Sequence, residues 1–84
     1  MNSKIDTILI DILNCKRNEI KLESNLVNDL LADSIDMIEI MIDLEVNFGI
    51  SISDKEALTL ETVRDCHELV EAKLEDRKGK IYVK

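Results

Sequence analysis

The stretch "DLLADSIDMIEIMIDLEVNFGISIS", residues 29–53, decides how this chain folds. Met37, Ile40, Met41, Leu44 and Phe48 recur at three- and four-residue spacings, the period of an α-helix with one apolar side. Asp33 or Ser34 is suited to cap that helix, and Asp36 places a carboxylate in the first turn, where the helix dipole favours it. Gly49 supplies the stop, because a residue in the left-handed conformation commonly ends a helix. The expected helix therefore spans 34–48. The alternation "ISIS" at 50–53 is too short to establish a strand.

Upstream, Ile5, Ile8, Leu9, Ile12 and Leu13 predict an amphipathic helix over residues 3–15, with Ser3 as cap and Asp6 three residues on. Residues 16–32 lose the period and read as a long ordered loop, pinned to the core by Ile20, Leu22, Leu26 and Leu30. Loops of this length are uncommon in small domains and are often functional. Downstream, Asp54 is suited to cap a short helix running through Leu60. A final helix begins near Thr62, with Val63, Cys66, Val70 and Leu74 on one stripe. The fold class is all-α: a small four-helix bundle with a long loop between helices 1 and 2 and a short third helix. Residues 1–76 form the domain, and 77–84 a basic, flexible tail.

Composition supports this class. The chain of 84 residues has no proline, two glycines and two aromatic residues, Phe48 and Tyr82. A sandwich or barrel would need more turn residues, so an aliphatic helical core is expected. A net charge of -7 excludes phosphate-backbone recognition, and the scarcity of aromatics removes any stacking platform for bases, so nucleic acid is not a partner. Cys15 and Cys66 stand too far apart in too small a number for a disulfide framework, and read as core-like thiols. Asp6 and Asp11 interrupt the N-terminal apolar segment, which is inconsistent with a signal peptide, and no run reaches the length of a membrane span. The expectation is a monomeric cytoplasmic protein.

The charge is unevenly distributed. Residues 22–54 hold eight acids (Glu23, Asp29, Asp33, Asp36, Glu39, Asp43, Glu45, Asp54) and no base, so the whole net charge resides in the middle of the chain. A surface built for solubility intersperses both signs; this pattern points to recognition. On the helical wheel Asp36, Glu39, Asp43 and Asn47 form one ridge. Beside it Ile35, Ile38, Ile42 and Val46 make a second apolar side, more than a core-facing arc needs. Either the long loop buries that side, or it is an exposed strip suited to basic, apolar partner surfaces.

Ser34 is the conspicuous hydroxyl of the segment. It does not read as a hydrolytic nucleophile: His67 is the only histidine, there is no Gly-x-Ser-x-Gly elbow, and neighbouring acids repel a developing oxyanion. No catalytic residue is assigned. Residues 43–54 approach a calcium-loop pattern, yet Phe48 occupies the glycine position and Asp54 the place of the last glutamate. The acids are expected at most to attract divalent ions weakly, and no metal site is assigned. His67 reads as a surface or boundary residue of the last helix.

Asp33-Ser34-Ile35-Asp36, Glu39, the Leu44-Glu45 pair, Phe48 and the Ile50/Ile52 alternation together resemble the acyl carrier protein family, closest to discrete bacterial fatty-acid-type carriers. The four-helix outline extends the resemblance over most of residues 3–75. It implies that Ser34 is esterified with 4'-phosphopantetheine, transferred from coenzyme A by a phosphopantetheinyl transferase, and that the arm's thiol carries acyl groups as thioesters. It further implies a carrier without catalytic activity. It assigns Asp33, Asp36 and Glu39, with Ile35 and Ile42, to docking of acyl-loading and acyl-transfer enzymes with basic surfaces, and Asp43 of the ridge joins that set. Specialised carriers (polyketide, D-alanyl or virulence-associated), or an acidic interaction protein without the arm, are the rival readings. One departure stands out: Leu31 occupies the place where the family usually has glycine.

Overall fold

The computed structural model describes residues 3–75; the two N-terminal residues and those beyond Glu75 lie outside the described residues, and with them the expected domain boundary at 76 and tail 77–84. The described residues form α1 (Ser3–Leu13), α2 (Ser34–Phe48), α3 (Asp54–Ala57) and the start of α4 (Val63–Val83), with a 3-10 turn at Arg17–Glu19. They contain no β-strand, only an isolated antiparallel bridge between Asn25 and Thr62. The expected all-α architecture is what the chain adopts.

α1 is shorter than its apolar period suggests. Asn14 adopts φ 54 and ends the helix at Leu13; asparagine tolerates this conformation better than most residues. Ser3 lies inside the helix, and its carbonyl accepts the Thr7 hydroxyl at 3.1 Å. Ile5, Ile8 and Leu9 face inward, where they meet Ile40 and Leu44 of α2 and Val63, Cys66 and Val70 of α4 in one core.

The long loop belongs to this core. Leu26 is as completely buried as any helical residue, with Leu30 and Ala32 close behind. Burying a leucine fully stabilises by roughly 1.5–3 kcal/mol, enough to hold an otherwise irregular segment in place. Asn25 organises the turn: its Oδ1 accepts from the Val27 and Asn28 amides at 3.0 and 2.8 Å, and its own amide donates to Asp29 Oδ2 at 2.7 Å. The loop is also stitched to the start of α4. The Leu26 amide donates to Glu61 O at 2.8 Å, the Val63 amide to Ser24 O and the Arg64 amide to Leu22 O, both at 3.0 Å. Arg64 adds an ion pair with Glu23 at 3.1 Å.

Gly49 ends α2 at φ 63, as its position predicts. The following "ISIS" pairs with no strand; Ile50 and Ile52 point into the core, and the Ile52 amide donates to Glu45 Oε2 at 2.8 Å. Ser53, one residue earlier than Asp54, caps α3: its hydroxyl accepts the Glu56 amide at 3.1 Å and Glu56 accepts the Ser53 amide at 3.0 Å. α3 stops at Ala57, short of Leu60. Glu56 also pairs with Lys73 of α4 at 2.8 Å. α4 opens with a similar exchange, the Thr62 hydroxyl accepting the Asp65 amide and Asp65 Oδ2 accepting the Glu61 and Thr62 amides.

His67 corrects the surface reading. It is 2% exposed, with Nε2 2.9 Å from Asp6 Oδ1. Its other ring nitrogen, Nδ1, is buried with no hydrogen-bond partner among the described residues.

Candidate functional site: the serine at the start of helix α2

Two residues compete to cap α2, and Asp33 holds the position. Its backbone is extended (φ -98, ψ -177), its Oδ1 accepts the Asp36 amide at 2.8 Å, and Asp36 Oδ2 accepts the Asp33 amide at 3.1 Å. Such a reciprocal box stabilises a helix start by about 1 kcal/mol. Ser34 is thereby displaced to the first helical residue and released from capping. Its hydroxyl is exposed and makes no hydrogen bond to a described residue. The backbone N–H groups of Ser34 and Ile35 precede the first intrahelical bonds and remain available to an anion.

The other predicted site residues share α2 with the serine. Asp33, Ile35, Glu39 and Ile42 are exposed, while Asp36 and Asp43 are half-buried. Ile40 and Leu44, fully buried, mark the inward direction of α2. The second apolar side faces away from it: Ile35 is 65% exposed, Ile38 and Ile42 51%, and Val46 75%. The loop does not cover this side, which settles the two sequence alternatives in favour of an exposed strip.

The acids of the region fall into two groups. Asp29, Asp33, Asp36 and Glu45 accept backbone amides, and Glu23 pairs with Arg64. Glu39, Asp43 and Asp54 have no hydrogen bond or ion pair through their carboxylates among the described residues. Nor do three carboxylate, histidine or cysteine side chains converge to hold a metal among the described residues.

The two cysteines sit elsewhere and are poorly reactive. Burial, with a lesser contribution from the Asp65 charge, pushes the Cys66 thiol up to about 12. Partial burial, followed by the Glu19 charge, raises Cys15 as well. Thiolate is the nucleophilic form, so neither thiol suits acyl chemistry near neutral pH.

Sequence reasoning missed Glu45 and singled out Leu31. Glu45 ties α2 to the segment before α3, a contact across seven residues that no local pattern announces. Leu31 holds φ 62, which glycine adopts freely and leucine does not, and its side chain is 79% exposed. The chain keeps the left-handed turn without the residue that favours it.

The family model of the phosphopantetheine attachment site matches residues 3–70. An acyl carrier protein of Helicobacter hepaticus is 38% identical over 68 residues, 81% of this chain and 90% of that protein. The chain belongs to the acyl carrier protein family. Among solved structures, an acyl carrier protein from Mycobacterium tuberculosis matches this carrier with a TM-score of 0.79 and 31% identity, covering 83% of this chain and 93% of the other. Members carry 4'-phosphopantetheine as a covalent group. The α2 start fits such a group, since it offers an exposed, unbonded hydroxyl beside amides that favour a phosphodiester. Among the described residues, no helix is long and apolar enough to cross a membrane.

Proposed function

We propose that Ser34 is the attachment point of the 4'-phosphopantetheine arm and that this carrier presents acyl thioesters to other enzymes, in fatty-acid or related acyl-chain biosynthesis. The observation that carries the assignment is the division of roles at the α2 start: Asp33 caps, leaving the Ser34 hydroxyl exposed and unused. The Ser34 oxygen forms the new phosphodiester bond as the pyrophosphate link of coenzyme A breaks; adenosine 3',5'-bisphosphate departs, and the serine proton leaves to a base of the phosphopantetheinyl transferase. When bound, the arm supplies a reactive thiol, which Cys15 and Cys66 do not.

The carrier performs no catalysis of its own in this reading and works as a monomer in the cytoplasm. Asp33, Asp36, Glu39 and Asp43, with Ile35 and Ile42, dock acyl-loading and acyl-transfer enzymes whose surfaces are basic. Leu31, at the family's glycine position, favours a second reading as a specialised carrier outside housekeeping lipid synthesis.

Intact-mass measurement of the protein from its native host tests both the arm and the cargo. The expected result is one phosphopantetheine per chain, lost in Ser34→Ala. A wild-type chain that stays unmodified while a control carrier is modified leaves only the acidic interaction protein without an arm.

A further inference from the structure

Leu31 contributes little to the fold. Its backbone occupies a left-handed region where a β-carbon is crowded, and its side chain lies mostly in water, where it stabilises little by burial. Strained positions of this kind persist where function holds them. This one lies three residues before Ser34, where the loop passes into the cap of α2.

Beyond Ser34 the outward side of α2 stays apolar through Ile35, Ile38, Ile42 and Val46. At 100° per residue these four span roughly 80° of the helix surface, centred opposite Ile40 and Leu44. The unpaired acids Glu39 and Asp43 flank this crest on one side only. On its other flank the carboxylate of Glu45 is engaged by the Ile52 amide. A second copy of this chain is a poor occupant, because pairing two such faces sets uncompensated acids against each other. A protein with an apolar seat and a basic rim along one edge is complementary.

We propose that Leu31 is a specificity-determining anchor for enzymes acting at Ser34: it enters an apolar seat on the partner beside the reacting hydroxyl, and the one-sided acids fix the direction in which α2 lies. The inference rests on Ser34 being the attachment point and names a feature of the partner surface that this reading leaves open.

The test uses the full-length apo protein, coenzyme A and the phosphopantetheinyl transferase of the same host. The variants are Leu31→Gly and Leu31→Asn, both compatible with a left-handed backbone, and Leu31→Met, which keeps an apolar side chain. The first two are expected to raise KM for the carrier about tenfold, or about 1.4 kcal/mol, with kcat nearly unchanged, while Leu31→Met retains the wild-type KM. Melting curves taken alongside show that the glycine and asparagine variants remain folded. Wild-type KM in both of those variants overturns the inference, as does a wild-type dimer in sedimentation that Leu31→Gly dissolves, which assigns the side chain to a self-contact. An unmodified wild type overturns the Ser34 reading, and this inference with it; modification with unchanged KM overturns the inference alone.

Discussion

His67 Nε2 lies 2.9 Å from Asp6 Oδ1, joining α4 to α1 across a separation of 61 residues. The ring is buried, and among the described residues its Nδ1 has no partner and Asp6 is the one polar link satisfying this imidazole. Asp6→Ala removes it and leaves a buried polar ring unsatisfied, at an expected loss of roughly 1–3 kcal/mol. For a domain of this size that lowers Tm by several degrees, on the order of 4–8 °C per kcal/mol. Thermal and urea melts check it; a variant as stable as wild type would show that the ring finds another partner.

The α2 cap separates stability from chemistry. Asp33→Ala should destabilise by about 1 kcal/mol, since it removes the side-chain acceptor of the Asp36 amide while the backbone amide at position 33 can still donate to Asp36. Ser34→Ala should leave Tm unchanged within error, because the hydroxyl has no structural bond, while abolishing modification. A clear drop in Tm for Ser34→Ala would return the serine to a structural role.

Leu31→Gly should be at least as stable as wild type. Relief of the left-handed strain is worth about 1–2 kcal/mol, against roughly 0.5–1 kcal/mol for the extra freedom of glycine in the unfolded chain. The net is a gain of up to ~1.5 kcal/mol, read from chemical denaturation. A substantial loss of stability would mean that the leucine side chain packs in solution.

Two carboxylates contribute to the acid limb of stability. The hydrogen bond from Lys73, followed by that from the Ser53 amide, holds Glu56 down to about 2 from an ordinary value of 4.5. The Glu61 and Thr62 amides hold Asp65 below the usual carboxylate range. Both groups are depressed in the folded state, so their contribution is complete above their ordinary values and disappears as pH falls through the folded ones. Tm should hold from neutral pH down to about 4.5 as far as Glu56 is concerned, then decline toward about 2. Lys73→Met should shrink that decline, because Glu56 then loses its largest perturbation. Melts across this range in wild type and variant measure the difference.

The uncompensated acids of residues 22–54 predict a salt effect. Like charges such as Glu39 and Asp43 repel across a short distance, and dissolved ions screen that repulsion. Added salt or millimolar divalent cation should raise Tm at neutral pH. Indifference to both would indicate that the acids are neutralised within the protein.

α2 was legible from end to end because its signals are local: a cap, a period and a terminating glycine all lie within it. Where the boundaries moved, one residue decided each case. Asn14 turned left-handed and shortened α1, and Ser53 took the cap expected of Asp54. The exposed strip announced itself as an excess of apolar residues, but which side faced water depended on how the loop packs. The Asp6–His67 contact had no local signature, since its partners meet only when α1 and α4 are assembled. At the site, sequence could name Ser34 but not show that Asp33 leaves its hydroxyl free.

The stitches between residues 22–26 and 61–64 bear on the order in which this molecule is made. The turn that leads into Ser34 is fastened to a segment synthesised about forty residues later, and three of its backbone hydrogen bonds wait for that segment. A chain still emerging from the ribosome without α4 lacks both those bonds and the Val63, Cys66 and Val70 side chains of the core. The serine is therefore expected to become a substrate only once that segment and α4 have been made and docked, and a product truncated before them escapes loading.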